Sequence, residues 1–426
     1  MNAAKLFDRW GIHYGWVVAF STFLTLLVTA GAVGAPGVLI APLQAEFGWS
    51  TADISLAFAV RLVLFGLMGP FAAAFMNRFG VRRVAAFAIA LISVGIALSF
   101  AMTSLWQLVL LWGVVVGLGT GFTALVLAAT VAARWFVQRR GLVVGLLTAS
   151  TATGQLVFLP AVAALTQRYG WRSALELVLG ALLIGIAAVA LLMRDSPSEV
   201  GLRAYGAAQG SDAAAPPRPA TIGAMLRSPI DALRGAARVP VFWLLFGSFF
   251  VCGASTNGLV QTHFVAMCGD FGIQPVAAAG LLALIGLFDF VGTVGSGWLS
   301  DRYDSRLLLA WYYGLRGLSL LLLSASDFAA LPLLVFAVFY GLDWVATVPP
   351  TVRLAADRFG PQANLVFGWV FAGHQLGAAC AAFVAGSART AYATYLPAFV
   401  GAGVLCLIVA FAMVGARRAP ARRATA

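Results

Sequence analysis

Residues 281–323 read LLALIGLFDFVGTVGSGWLSDRYDSRLLLAWYYGLRGLSLLLL, and this stretch decides the fold of the chain. Two apolar runs, each long enough to cross a bilayer, flank a charged turn from Ser300 to Arg306. Asp289 precedes Ser300 by 11 residues, and Arg316 follows Arg306 by 10 residues. At about 1.5 Å per helical residue, both lie roughly 15 Å from the turn, in the middle of a hydrocarbon core about 30 Å thick. The stretch therefore predicts two membrane helices, each with an ionisable residue at mid-depth.

These two ionisable residues limit what the helices can do. A charge at the centre of a bilayer costs about 3 kcal/mol, so such a side chain usually faces a partner or a water-filled path. Asp289 and Arg316 therefore either form a structural ion pair with each other or belong to a substrate or proton site.

Composition places the whole chain in a membrane. Hydrophobic residues make up 62% of it, charged residues 10%, and the mean hydropathy is +0.94. Soluble domains have roughly 45–50% apolar residues, so a soluble fold is excluded. The four cysteines lie in or beside apolar runs without paired short spacings, which argues against a disulfide framework, a metal site or another cofactor: Cys252, Cys268, Cys380 and Cys406.

Apolar runs divide the chain into twelve predicted spans. The first six are 14–40, 52–75, 84–102, 105–133, 142–165 and 173–193. The second six are 241–267, 276–299, 307–324, 330–352, 364–387 and 393–414. We predict an all-α membrane protein with a first bundle (1–193), a polar linker rich in Ala, Pro, Gly, Ser and Arg (194–239) and a second bundle (240–426). Within the linker, residues 221–235 have the pattern of a short amphipathic helix on the membrane surface.

The basic residues indicate how the chain is oriented. If the N-terminus is cytoplasmic, 22 of the 27 basic residues fall in inner segments and three in outer segments. This asymmetry predicts a multi-pass protein of the cell (inner) membrane with both termini in the cytoplasm. It also accounts for the net charge of +12 without a nucleic-acid partner.

An internal repeat supports two related bundles. Residues 69–83 read GPFAAAFMNRFGVRR between spans two and three, and residues 292–306 read GTVGSGWLSDRYDSR between spans eight and nine. Both have a glycine-rich helix end followed by an aromatic residue and arginines. Two pseudo-symmetric six-helix bundles of this kind enclose a central site that opens alternately to each side.

At these residues the chain resembles the major facilitator superfamily over nearly its whole length. It is similar, within that superfamily, to the monocarboxylate transporter and oxalate/formate antiporter branch. Three features carry the closer resemblance: the HYGW motif at 13–16, the WFVQRRGLVVG motif at 135–145, and Asp289 in span eight. The resemblance implies that the turns gate transport, with Arg78, Asp301 and Arg302 linking neighbouring helices.

Three departures from this branch affect the site. The branch often has a lysine after the proline of span one, but Gly37 follows Pro36 here. It often has an arginine one turn after the aspartate of span eight, but this chain has Thr293. Asn77 also replaces the usual aspartate of the first turn. Two positive charges that the branch associates with carboxylate binding are therefore missing.

Arg61 is the predicted replacement anchor for an anion. It lies about ten residues into span two, and its guanidinium offers a fork of donors that matches a carboxylate. The alternative is a structural arginine that pairs with a carboxylate or a helix-end carbonyl. His374, about ten residues into span eleven, is a second candidate that changes charge near neutral pH, or else a packed, hydrogen-bonded histidine.

Other polar residues at mid-depth complete the predicted site. Asp343 in span ten is a candidate for proton coupling with Asp289, or a partner of Arg316. Because span nine is peripheral in the family's fold, Arg316 is predicted to be structural and to pair with Asp289 or Asp343. The remaining candidate substrate residues are Asn257 and Gln261, four residues apart on one face of span seven, Gln155 and Tyr340.

We predict a secondary transporter of a small organic anion, a monocarboxylate or a short dicarboxylate, that is coupled to protons and works as a monomer among membrane lipids. Anion exchange, efflux of amphipathic compounds and a membrane sensor that moves nothing remain alternatives. No combination of nucleophile, base and acid stands out, so the sequence does not predict an enzyme.

Overall fold

The computed structural model describes residues 12–123, 125–207, 221–300 and 302–415. Within these ranges, ten helical residues have side chains that are not described: Leu125, Arg140, Gly141, Thr148, Ala149, Ala152, Gln155, Leu156, Pro361 and Asn364.

The described chain is helical nearly throughout. The first six long helices are span one (Tyr14–Phe47), span two (Thr51–Phe79), span three (Val81–Ser99), span four (Leu105–Trp135), span five (Arg140–Tyr169) and span six (Trp171–Leu192). The second six are span seven (Pro240–Asp270), span eight (Pro275–Ser300), span nine (Ser305–Ser324), span ten (Ala330–Phe359), span eleven (Ala363–Tyr392) and span twelve (Leu396–Gly415). Among the described residues, eleven of these helices are long and apolar enough to cross a membrane, and span five is the twelfth long helix. The predicted all-α membrane fold is confirmed.

Local sequence signals set the ends of several spans. Ser50 begins span two through a capping box, in which its hydroxyl accepts the Asp53 N–H and the Asp53 carboxylate accepts the Ser50 N–H. Gly80 (φ 92°) and Gly170 (φ 87°) separate spans two and three, and spans five and six, by a single residue each. Only glycine adopts this backbone conformation readily, so these glycines permit the reversals.

Four spans depart from regular α-helix within their length. Span one breaks at Ala35, before Pro36, and span seven contains a π-helical stretch at Ala254–Val260. Span four has a π-helical stretch at Val109–Val116, and span ten unwinds at residues 344–347, just before Pro349 and Pro350. Proline removes a backbone donor, and π-helical turns often mark functional sites.

The two halves meet along two antiparallel helix pairs. Span two packs against span eleven along much of its length, and span five packs against span eight. Glycines allow the close approach, because Gly66 lies against Gln375 and Gly386 lies against Ser55. At one end, the Gln167 amide donates to Gln274 at 3.1 Å and adds a polar contact between the halves.

The chain is closed at one side of the bundle and separated at the other. We call the end with the turns after spans two and eight the arginine-rich side. At the opposite side, the last part of span one (Pro36–Phe47) packs against the last part of span seven (Gln261–Asp270). At the arginine-rich side, the ends of spans four and ten pack within their own halves. The last part of span four (Leu125–Trp135) packs against spans one, two, three and five. The last part of span ten (Val348–Phe359) packs against spans seven, eight, nine and eleven. The central space therefore opens toward the arginine-rich side.

Two parts of the linker lie within the described residues. Residues 194–207, which we call the strap, fold back onto the first half, where the Tyr205 N–H donates to the Trp135 carbonyl at 2.8 Å. The second part is the linker helix, Ile222–Ala236, which confirms the predicted helix at 221–235 and packs against spans two and eleven.

Candidate functional site

Arg61 lies in the interior of span two, and its side chain is 1% exposed. Its Nε and Nη1 atoms have no hydrogen-bond partner. Within the part of the chain that the structure describes, no carboxylate lies within ion-pair distance of the guanidinium. An unpaired buried charge is costly, so Arg61 is available for an anion that enters from outside the chain.

Closely packed helices enclose the backbone at Arg61. A Cβ atom at Gly117 of span four would lie 3.0 Å from the Arg61 Cα, so this glycine lets span four approach. On the neighbouring face of span two, Ala59 and Leu62 pack against three alanines of span eleven: Ala378, Ala379 and Ala382. Such apolar walls strengthen electrostatic attraction, because they exclude the water that would screen it.

Gln375 is a second buried polar residue without partners. It lies in span eleven against Gly66, is 1% exposed, and neither its Nε2 nor its Oε1 atom has a hydrogen-bond partner. Each unsatisfied buried group costs about 1–3 kcal/mol, so an occupant that bonds to this amide gains correspondingly. The sequence analysis did not identify Gln375, although a glutamine in the apolar run of span eleven was the available signal.

The structure gives a physical reason for the missing lysine of span one. A Cβ atom at Gly37 would lie 2.6 Å from the Gln261 carbonyl oxygen and 3.3 Å from that of Thr262. Span one therefore meets the backbone of span seven at this position and leaves no room for a side chain in this state.

His374 has the surroundings of a packed aromatic residue. Its ring is half-buried, nearly parallel to that of Phe371 at 5.6 Å, and 5.8 Å from that of Phe249. Its Nδ1 atom is buried and has no hydrogen-bond partner. The role of His374 in substrate binding stays a prediction.

Span seven does not present its two amides as an ordinary α-helix would. Asn257 lies in the π-helical stretch and is half-buried, whereas Gln261 lies in the following α-helix and is buried. The four-residue spacing predicts a shared face only in an α-helix, so that argument does not apply here. The side chain of Gln155, a third predicted amide, lies outside the described part of the chain.

Tyr340 is fully buried and donates its hydroxyl proton to the Ser255 carbonyl oxygen at 2.7 Å. Its ring stacks on Phe336 and meets Trp344 edge-on. These contacts connect span ten to span seven, and they commit the only hydroxyl proton of Tyr340 within the protein.

Arg316 pairs with Asp343 and not with Asp289. The Arg316 Nε lies 2.6 Å from Asp343 Oδ2, and Nη2 donates to the carbonyl oxygens of Asp343 and Trp344 at 2.6 and 3.1 Å. The Nη1 atom lies 2.9 Å from Cys252 Sγ. Arg316 thus binds carbonyl groups where span ten unwinds, and of its two predicted partners the ion pair is with Asp343.

Asp289 has hydrogen bonds but no ionic partner within the described residues. Its Oδ1 accepts the Thr293 hydroxyl and the Val345 backbone N–H, both at 2.9 Å. Thr293, which replaces the family's arginine, therefore supplies a neutral donor instead of a charge. As a whole residue, Asp289 is half-buried.

The linking role expected of Arg78, Asp301 and Arg302 at the turns stays a prediction. Arg302 is exposed and lies over the Trp298 ring at 4.0 Å, Arg78 lies half-buried beside Phe79, and Asp301 lies outside the described residues. Two other arginines link helices there. Arg134 of span four donates to Asn77 Oδ1 at 2.7 Å, and Arg353 of span ten donates to the Ser300 carbonyl.

The two linking arginines occupy equivalent places in the two halves, and each binds the last turn of its neighbouring span. Asp195 of the strap extends the first of these networks, because it accepts the Arg82 backbone N–H at 2.7 Å. Sequence reasoning overlooked these residues because they are far apart along the chain.

His263 of span seven was also overlooked. It is fully buried, its Nε2 bonds to the Ala382 carbonyl at 2.8 Å, and its Nδ1 has no partner. For metal ions, the described residues offer no group of three His, Cys, Asp or Glu side chains.

Comparisons with known proteins agree with this architecture. The family model described as Major Facilitator Superfamily matches residues 18–351 and 265–426. The crystal structure of a D-xylose-proton symporter superposes with a TM-score of 0.72 at 14% identity and covers 94% of this chain and 97% of its own. This likeness concerns the fold.

Sequence relatives lie among the monocarboxylate transporters. Monocarboxylate transporter 13 of Rattus norvegicus is 28% identical over 405 residues, which is 92% of this chain and 87% of the relative. Monocarboxylate transporter 4 of the same species is 28% identical over 349 residues, 78% of this chain and 67% of the relative. The chain therefore belongs to the major facilitator superfamily of membrane transporters, and within it resembles the monocarboxylate transporter branch.

Proposed function

We propose that this transporter carries a small organic anion, a monocarboxylate or a short dicarboxylate, together with a proton. The central observation is Arg61, a fully buried guanidinium with two unpartnered donors and no described counter-charge. A carboxylate is the counter-charge that a guanidinium binds best, and a charged hydrogen bond is roughly twice as strong as a neutral one. The substrate then supplies the charge partner that the protein lacks.

The second half of the site contributes the proton. Asp289 faces no cation at ion-pair distance within the described residues, because Arg316 is committed to Asp343. An anion at Arg61 and a proton on Asp289 together add no net charge to the membrane interior. The anion and the proton therefore cross the membrane together more readily than the anion crosses alone.

Two related bundles, residues 1–193 and 240–426, alternate access to this site in our proposal. The described state is separated at the arginine-rich side, where the last parts of spans four and ten pack within their own halves. Because basic residues concentrate there, we assign this side to the cytoplasm. Substrate at Arg61 of span two, a helix that packs along span eleven, would favour approach of the halves.

Uptake into proteoliposomes tests this function. The purified protein is offered a panel of labelled carboxylates and an uncharged amphipathic compound, with and without an imposed pH gradient. We expect accumulation of one or more small carboxylates when the lumen is more alkaline. Exchange without pH-driven accumulation would favour an anion exchanger, amphipathic transport alone would favour efflux, and binding without transport would favour a sensor.

Variants of Arg61 separate the anchor from the fold. We expect Arg61→Gln to lose about 2–5 kcal/mol of carboxylate binding, the range for removing one partner of a desolvated charge pair. Arg61→Lys retains part of this binding as a point charge. The control is Arg389→Gln, which removes a partly exposed arginine paired with Asp270. Normal binding by folded Arg61→Gln would exclude Arg61 as the anchor.

A further inference from the structure

The linker helix has three distinct faces. Met225, Pro229, Ala232 and Ala236 are buried against the bundle, and the Trp369 ring of span eleven donates to the Pro229 carbonyl at 2.7 Å. At about 100° per residue, Ile222, Leu226 and Ile230 lie roughly 60–140° around the helix from Met225, and Arg227 and Arg234 lie at roughly 180–200°. An apolar row thus lies between the docked face and the basic face.

The apolar row is only partly covered by the described parts of the chain. Ile222, Leu226 and Ile230 are 53%, 38% and 37% exposed. The helix docks on spans two and eleven, which cross the membrane, so lipid is the apolar medium nearest to it. A helix with one apolar face, a basic flank and low net hydrophobicity typically lies in the membrane interface.

The basic face is suited to anionic headgroups. Arg227 and Arg234 project from the helix, and Arg238 follows it two residues after the last helical residue. The only acidic residue of the helix, Asp231, pairs with Arg234 at 3.5 Å, and both side chains are more than half exposed. Such exposed pairs contribute little, so the face keeps a positive charge.

Trp243 indicates the level of the membrane interface beside this helix. Its ring is 55% exposed, and its Nε1 donates at 2.8 Å to the carbonyl of Ala237, the residue that caps the linker helix. Tryptophans of this kind concentrate at the headgroup level of a bilayer. The C-terminal end of the linker helix therefore lies at that level.

A groove next to Arg227 has the size and the polar groups to hold a headgroup. It has a volume of about 630 Å³ and lies between the linker helix and the beginning of span eleven. Its polar lining consists of Thr221, Arg227, Ser228, Gln362 and Asp231, the carboxylate that pairs with Arg234. A phosphate there would accept hydrogen bonds from the hydroxyls while the arginine neutralises its charge.

We propose that the linker helix binds anionic phospholipid of the adjacent leaflet, with the row Ile222, Leu226 and Ile230 in the acyl region and Arg227, Arg234 and Arg238 at the headgroups. Since this helix packs on span two of one half and span eleven of the other, bound lipid contacts both halves at once.

Spin labels test the placement of the helix without any transport measurement. The full chain, with Cys380 replaced by serine, carries one label at Leu226 or at Ala224 in vesicles of phosphatidylcholine with phosphatidylglycerol. We expect the label at Leu226 to be more accessible to oxygen and the label at Ala224 to a water-soluble nickel complex. A label at Leu226 that is accessible mainly to the nickel complex would overturn the proposal, because that face would then not lie in lipid.

Lipid selectivity tests the headgroup contact. We expect spin-labelled phosphatidylglycerol to be preferred over phosphatidylcholine at the protein surface, and the preference to weaken with salt. In R227Q/R234Q/R238Q we expect the preference to fall at least fivefold, because one interfacial arginine alone supplies about that factor. The control, R168Q/R172Q/R389Q, removes three arginines from the opposite side. Equal selectivity in the two triple variants would overturn the proposal, and it would leave the Arg61 experiments unaffected.

Discussion

A carboxylate oxygen of Asp289 accepts the backbone N–H of Val345 at 2.9 Å, so the acid of span eight holds the turn that interrupts span ten. Arg316 of span nine holds the same turn through the carbonyl oxygens of Asp343 and Trp344. Two ionisable residues from different helices thus fix one break in a third helix. A change in the charge of Asp289 therefore reaches span ten directly.

Asp289→Asn tests proton coupling. The asparagine carbonyl can still accept from Thr293 and Val345, so we expect the protein to fold. It binds no proton, however, and we expect pH-driven accumulation of the carboxylate to be lost while exchange persists. Thr293→Val is the control, because it removes a hydrogen bond but keeps the acid. Accumulation by Asp289→Asn under a pH gradient alone would show that Asp289 is structural.

The Arg316–Asp343 pair predicts a stability effect. Removing one partner of a buried ion pair typically costs about 3–5 kcal/mol, so Arg316→Gln should lower the thermal unfolding midpoint in detergent strongly. The double variant R316M/D343L should recover part of this loss, because no charge is left unpaired. A single variant as stable as the parent protein would contradict the buried pair.

Gly37 predicts a change in the conformational balance. An alanine there places its Cβ 2.6 Å from the Gln261 carbonyl, so closure of the opposite side becomes unfavourable. Spin labels at Gln167 and Gln274, whose side chains touch across the halves, should show longer distances in Gly37→Ala. Gly180→Ala is the control, since no atom lies within 4 Å of its new Cβ. Equal distance distributions in both variants would sink the idea.

Two neighbouring arginines should differ in their effect on gating. Arg353 binds the Ser300 carbonyl at the end of span eight, whereas Arg302 lies exposed over Trp298. We expect Arg353→Gln to change the transport rate and the conformational balance more than substrate affinity, and Arg302→Gln to change them little. For Asp301→Asn we predict the same effect as for Arg353→Gln: the transport rate and the conformational balance should change more than the substrate affinity. A larger effect of Arg302→Gln would restore the role expected from the family resemblance.

Cysteine labelling tests the orientation. In a protein with Cys380 replaced by serine, a membrane-impermeant maleimide added to intact cells should label a cysteine at Asp327 but not one at Ser198. Both positions are exposed, and they lie at opposite sides of the bundle. The reverse pattern would place the arginine-rich side outside the cell.

Hydropathy and helical spacing predict depth well and rotation poorly. They place Asp289, Arg316 and Asp343 at mid-depth, but the choice of Asp343 as the partner of Arg316 depends on how each helix is turned about its axis. The π-helical stretch of span seven shows the same limit. Apolar residues there carry no sign of the extra residue per turn, so the expected common face for Asn257 and Gln261 rested on α-helical geometry.

Contacts between distant parts of the chain were hardest to predict. Gln375 becomes notable only when Gly66 of span two is placed against it, and Arg134 only when Asn77 and the strap come near. By contrast, the burial of Arg61 followed from its position in a long apolar run. The sequence pattern therefore identified a buried charge. The packing of the helices was required to show that no carboxylate among the described residues pairs with it.

The strap also bears on how the protein is made. Tyr205 bonds to Trp135 and Val137, and His13 bonds to Arg203, so residues beyond the sixth span complete the packing of the first half. All of these residues are synthesised before residue 240. Domains generally fold in the order of their synthesis, and the first bundle can acquire its last backbone contacts while the second is still unmade. Translation itself then keeps the two similar halves from pairing their helices wrongly.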